Sequence, residues 1–220
     1  MGLPVVVMVF DYRTQKRLRE IATKREITPE DLHFLKNIAK EHMKRGTKLE
    51  ILARADFGDA VENVLRKKEM ELMRLQNRAR ITHEDWLAVV NELHDFERKH
   101  GINPGEVEYH MGIINDTERI AEALGTSKET VSAALEFLKR YHEFEQEAKG
   151  ASKELDGTIE ELKDVFKEAP LIYHVYVAKR GSEEKIHPLV REAYRRAKSE
   201  FAAEVEKLLK KIAEDYKEMG

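Results

Sequence analysis

The sequence predicts a mainly α-helical protein with one small β element. Only five prolines and eleven glycines interrupt its 220 residues, and over most of that length apolar residues return at steps of three or four. Two segments break the pattern, near residues 4–10 and 171–178, and both are dense in β-branched side chains. Apolar residues make up 41% of the chain, and the net charge of -3 is small although 37% of residues are charged. That is the balance of a chain that folds around a sizeable core, not of a disordered one.

Leu3 to Phe10 reads as a short buried strand ending at Asp11, and Leu171 to Val177, between Pro170 and Gly181, reads as a second. A lone strand leaves its backbone groups unpaired, so the two are expected to pair and to bring the ends of the chain together.

The helices are marked by their starts. In Ile27-Thr28-Pro29-Glu30-Asp31, Thr28 is an N-cap, Pro29 takes the first helical position and acids fill the first turn, predicting a helix to Arg45 before Gly46. Val61, Leu65, Leu72, Leu75 and Ala79 predict another from about Asp59 to Arg80. Ile81-Thr82-His83-Glu84-Asp85 repeats the first signal 54 residues on and predicts a new helix as far as His100. The likeness fades beyond one turn, so it reads as a good cap used twice and not as a repeat. Glu147 to Thr158, with Gly150, Ser152 and Gly157, reads as a linker. From His187 a long helix opens at Pro188 and runs to Met219, with Val190, Tyr194, Ala197, Phe201, Val205, Leu208, Ile212 and Tyr216 in one stripe. A stripe that long wants a partner helix, and a homodimer is expected. The resulting division is a mostly helical part at 1–110, a module at 111–148, and a strand plus long helix at 149–220.

Several classes are excluded or unsupported. With no cysteine there is no disulfide, thiolate metal site or cysteine nucleophile. The longest clean apolar run, Val5 to Phe10, is far below the roughly 20 residues of a membrane span, and no basic leader precedes a long apolar stretch. The expectation is a soluble, cytoplasmic protein. Abundant Lys and Glu against three Gln is the composition of heat-adapted proteins. The nine histidines lack metal-ligand spacing, and no glycine-rich phosphate loop is present, so neither metal nor cofactor is expected. Two enzyme patterns are incomplete. His187, Arg191, Tyr194 and Arg195 with Lys179 and Arg180 have the residue types of a tyrosine recombinase at the wrong spacing. The strand at 171–177 followed by Lys179 lacks the acidic pair of a nuclease core. No enzyme activity is expected.

Asn115 to Tyr141 carries the informative pattern. Thr117 is placed to cap a helix over Glu118–Leu124, Gly125 to stop it, and Ser127 to cap a second helix from Lys128 to about Tyr141. Ala121 is small where two helices cross, and Val131 and Ala134 share the inner face of the second. The stretch from Ile120 to Ser132 resembles the helix-turn-helix of bacterial and archaeal transcription regulators, with the cyclic-nucleotide-receptor type of activator closest in wording. The resemblance covers about 25 residues. It implies double-stranded DNA as partner, and a recognition helix that presents Ser127, Lys128, Glu129, Ser132, Ala133 and Glu136 to the major groove, with Thr126 near the backbone. Where that family often has an arginine one turn in, this chain has Ala133. Residues 111–150 hold five basic and eight acidic side chains, so phosphate contacts must come from elsewhere. Candidates are Arg17 and Arg19 in the basic cluster between Arg13 and Arg25, a second cluster between Arg66 and Arg80, and Arg191, Arg195 and Lys198 on one face of the last helix. The expected function is DNA binding, as a transcription regulator or mobile-element accessory protein. The alternative is an assembly protein in which the same helix pair is a protein–protein surface.

Overall fold

The computed structural model describes residues 9–219, and among these it is mainly helical, with no strand. The helices are α1 (Tyr12–Thr23), α2 (Pro29–Arg45), α3 (Leu49–Arg54), α4 (Asp56–His100), α5 (Pro104–Met111), α6 (Thr117–Leu124), α7 (Lys128–Glu168), α8 (Pro170–Arg180) and α9 (Pro188–Met219), with a 3-10 turn at Glu183–Lys185. They divide into two compact units: residues 1–73 with 156–220, and residues 74–155. The expected module at 111–148 lies within the second.

In the first unit, α2 begins and ends as its residues dictate. The Thr28 side chain accepts from the Asp31 amide and the Asp31 carboxylate accepts from the Thr28 amide, a reciprocal cap. Asp31 is buried and also holds Lys24 at 2.8 Å. Burial pushes its carboxyl up, but the bonds from Lys24 and Thr28 outweigh burial and hold it below the usual carboxylate range. Asn63 donates to the carbonyls of Ile21 (2.7 Å) and Lys24 (3.1 Å), satisfying acceptors at the end of α1. His42 is buried against the Phe10 ring, and its Nδ1 lies 2.9 Å from Thr47 Oγ1. Burial, and then Arg45, hold its imidazole below its ordinary value. Gly58 sits where α3 turns into α4, so close to α3 that a Cβ there would lie 1.9 Å from the carbonyl oxygen of Ala53.

The strand expected at 171–178 is a helix. Pro170 opens α8, which packs on α2 and α3. Ile172, Tyr173, Val175 and Tyr176 are buried, the i, i+1, i+3, i+4 face of a helix and not one face of a strand. Burial of that face overrides the β propensity of its residues, and the helix satisfies its own backbone, so no pairing between chain ends is required. The other strand, near 4–10, falls mostly outside the described residues; Val9 and Phe10 are not in a strand.

Two other boundaries also vanish. Thr82 does not cap a new helix: its hydroxyl donates to the carbonyls of Arg78 (2.8 Å) and Ala79 (3.1 Å), inside a continuous α4. Neither Gly nor Pro occurs between Gly58 and Gly101 to break it. Likewise, 147–158 is not a linker but part of α7, with Ala151, Thr158 and Ile159 buried. Trp86, the one tryptophan, lies on α4 in the second unit near the rings of His83 and Tyr141. Its Nε1 is shielded and finds no acceptor among the described residues. No helix among the described residues is long and apolar enough to cross a membrane.

Candidate nucleic-acid interface

The second unit builds the α6–α7 helix pair around an apolar core. Ile102 and Val107 from α5 and its approach, Ile120 and Ala121 from α6, and Val131 and Ala134 from α7 form one buried cluster, bordered by Phe96, Met111, Leu124 and Leu135. α5 is an element that sequence reasoning missed, although Asn103-Pro104 signals it as Thr28-Pro29 signals α2. The Asn103 side chain accepts from the Gly105 amide at 2.8 Å.

The corner follows from local chemistry. Asp116, not Thr117, caps α6, its carboxylate accepting from the Glu118 amide at 3.0 Å. Gly125 has φ 69° and ψ 35°, the left-handed conformation. The Thr126 amide then reaches the Ala121 carbonyl at 2.9 Å and the Gly125 amide the Glu122 carbonyl at 3.3 Å, a Schellman closure. Ser127 Oγ accepts from the Thr130 amide at 3.2 Å and starts α7. That helix continues to Glu168, well past the expected end near Tyr141.

The outer face of the first turns of α7 is open. Ser127, Lys128, Glu129, Ser132, Ala133 and Glu136 are exposed, and Thr126 is half-buried at the corner. Charge around the corner is predominantly negative: Glu122 on α6 and Glu129, Glu136 and Glu143 along α7 are all exposed. The nearby cations are mostly engaged. Lys128 Nζ lies 3.4 Å from Glu118 across the corner, Arg140 2.9 Å from Glu92, and Arg119 3.9 Å from Asp116. The unit as a whole carries 11 Lys or Arg against 16 Asp or Glu.

The candidate phosphate contacts Arg17, Arg19, Arg191, Arg195 and Lys198 belong to the first unit, whereas Arg74, Arg78 and Arg80 of the middle cluster belong to the second. Arg17 stacks over the Phe34 ring at 4.1 Å, Arg19 pairs with Asp56 at 3.3 Å, and Arg195 pairs with Glu192. Arg191 is half-buried and its Nε has no hydrogen-bond partner among the described residues, and Lys198 is exposed. In the cluster between Arg66 and Arg80, Arg66, Lys68, Arg78 and Arg80 each lie beside a carboxylate.

The residues of the recombinase pattern are held by separate partners. Tyr194 stacks on Tyr173 at 3.9 Å and its hydroxyl meets His174 Nε2 at 2.9 Å; burial pushes its phenol up, the wrong direction for a nucleophile. Lys179 binds Asp59 at 2.7 Å, and His187 Nδ1 accepts from the Leu189 amide at 3.1 Å. The nuclease pattern loses its strand to α8. Among the described residues, no three of the His, Asp and Glu side chains are grouped to hold a metal ion. No protein-family model, curated protein or solved structure matches this chain.

Proposed function

We propose that the second unit is a DNA-binding module that docks the first turns of α7 in the major groove of a duplex. One observation carries this reading: a glycine-cornered helix pair on an apolar core leaves Ser127, Glu129, Ser132 and Ala133 exposed, and Lys128 exposed beside its partner Glu118. Short polar side chains there permit close approach to base edges, and Glu129 is suited to accept from a cytosine amine. A transcription regulator or a mobile-element accessory protein would use the module in this way. Its electrostatics set the affinity. Few unpaired cations mean few displaced counterions, so log Kobs should fall with log salt at a slope of only about -2 to -4, the value for two to four phosphates. The test is a titration of labelled duplex by fluorescence anisotropy at stepped salt, with Lys128→Glu alongside. Absence of binding at low salt, or binding indifferent to Lys128→Glu, overturns the proposal.

The exposed carboxylates Glu122, Glu129, Glu136 and Glu143 favour a second reading, in which the same face receives a basic protein partner. Glu122→Lys with Glu143→Lys separates the two: it strengthens binding to DNA and weakens binding to a basic surface.

A further inference from the structure

Beyond Ala197, α9 leaves the core of the first unit. Every residue from Phe201 to Met219 is exposed, although Phe201, Val205, Leu208, Leu209, Ile212 and Tyr216 are large apolar side chains, between 39% and 71% exposed. A helix of this length draws most of its stability from packing of an apolar face, and no described residue of the unit supplies it beyond Ala197. The order of those six residues is a palindrome. Reading inward from either end gives an aromatic residue, a β-branched residue four positions on and a leucine three further, and the two leucines are adjacent.

We infer that this face is covered by the same face of a second copy, with the two α9 helices antiparallel about a dyad between Leu208 and Leu209. In that register Phe201 meets the partner's Tyr216, Val205 meets the partner's Ile212, and Leu208 meets the partner's Leu209. Each contact occurs twice, as an isologous interface demands. A parallel pair would instead align each residue with itself and use none of this symmetry.

Three further features fit the same register. Glu204, which Lys167 already holds within its own chain, and Lys211 are seven residues apart and share one flank of the stripe. Antiparallel pairing sets each two residues, about 3 Å along the axis, from its opposite on the partner. Where α9 leaves the core, an apolar groove of about 230 Å³ is lined by Met43, Phe166, Pro170, Tyr194 and Phe201. The partner's Tyr216 arrives opposite Phe201, at the mouth of that groove. The area is also sufficient: the exposed parts of six such side chains amount to about 500 Å² per copy, so about 1,000 Å² in all before the groove is counted, near the threshold of a specific interface.

This pairing stands whether or not the second unit binds DNA. The full chain should sediment at twice 25.6 kDa, and Leu208→Glu with Leu209→Glu should return it to the single mass with its helical signal largely kept. Because the chain has no cysteine, register is read directly by oxidation. Leu208→Cys should cross-link to itself across the dyad. Phe201→Cys should not, but should cross-link when mixed with Tyr216→Cys. A single-mass species at about 100 μM (well above the micromolar range of weak association) overturns the proposal. So does self-cross-linking of Phe201→Cys, the mark of parallel helices.

Discussion

Gly150 and Gly157 lie inside α7, exposed, and a Cβ built at either one meets nothing within 4 Å. In a helix interior each costs about 0.5–1 kcal/mol relative to alanine, chiefly through the freedom glycine has in the unfolded chain. Replacing both with alanine should therefore stabilise the protein by about 1–2 kcal/mol. The two sites are seven residues apart with no shared partner, so their effects should add within about 0.5 kcal/mol. For a chain of this size that raises Tm by about 2–8 °C. The assay is thermal unfolding followed by circular dichroism, with each single variant alongside the double. In a linker using left-handed glycines, alanine would instead destabilise. A double variant that melts at or below the parent temperature would falsify the continuity of α7.

Gly58→Ala should act in the opposite direction, costing about 3 kcal/mol or more by urea denaturation, because its Cβ meets the fixed backbone of Ala53; a loss below about 0.5 kcal/mol refutes the close approach. Gly125→Ala has open space but a left-handed backbone, so it should cost about 1–2 kcal/mol and Gly125→Asn less; equal effects from the two would contradict a torsional origin. Asp31→Asn should cost about 2 kcal/mol at neutral pH. Because the folded carboxyl titrates below the 3.8 of an ordinary aspartate, that difference is fully present above 3.8 and is lost as pH falls through the folded value; a difference unchanged down to the acid transition refutes it. His42, held neutral below its ordinary 6.5, should make stability decline as pH drops through 6.5, where the unfolded chain takes up a proton that the buried ring resists. His42→Gln should flatten that decline in the measured pH profile of stability.

What the sequence discloses here is mostly local. The reciprocal cap at Thr28 and Asp31, the stop at Gly46, the corner at Gly125 and the opening at Pro188 depend on residues within one turn, and the structure places each where its chemistry requires. The inward places of Val131 and Ala134 are legible from helical spacing, whereas the outward set from Ser127 to Glu136 comes from the resemblance to a helix-turn-helix. What misleads is context. The β-branched run at 171–177 becomes helical because neighbours bury one side of it, and Thr82 resembles a cap until an unbroken helix passes through it. Long-range charge is hidden as well: nothing in the spacing of Lys128 and Glu118, ten residues apart, reveals that the turn brings them together. The stripe on α9 is plain in the sequence, whereas its exposure to solvent among the described residues after Ala197 is a tertiary fact.

The solitary indole on α4 gives the molecule a built-in reporter. Emission excited at the red edge, where tyrosine is dark, comes from the second unit alone, while the stacked Tyr173–Tyr194 pair contributes its ellipticity from the first. Monitoring both signals along one melt tells whether the halves come apart together or in turn, with no label attached.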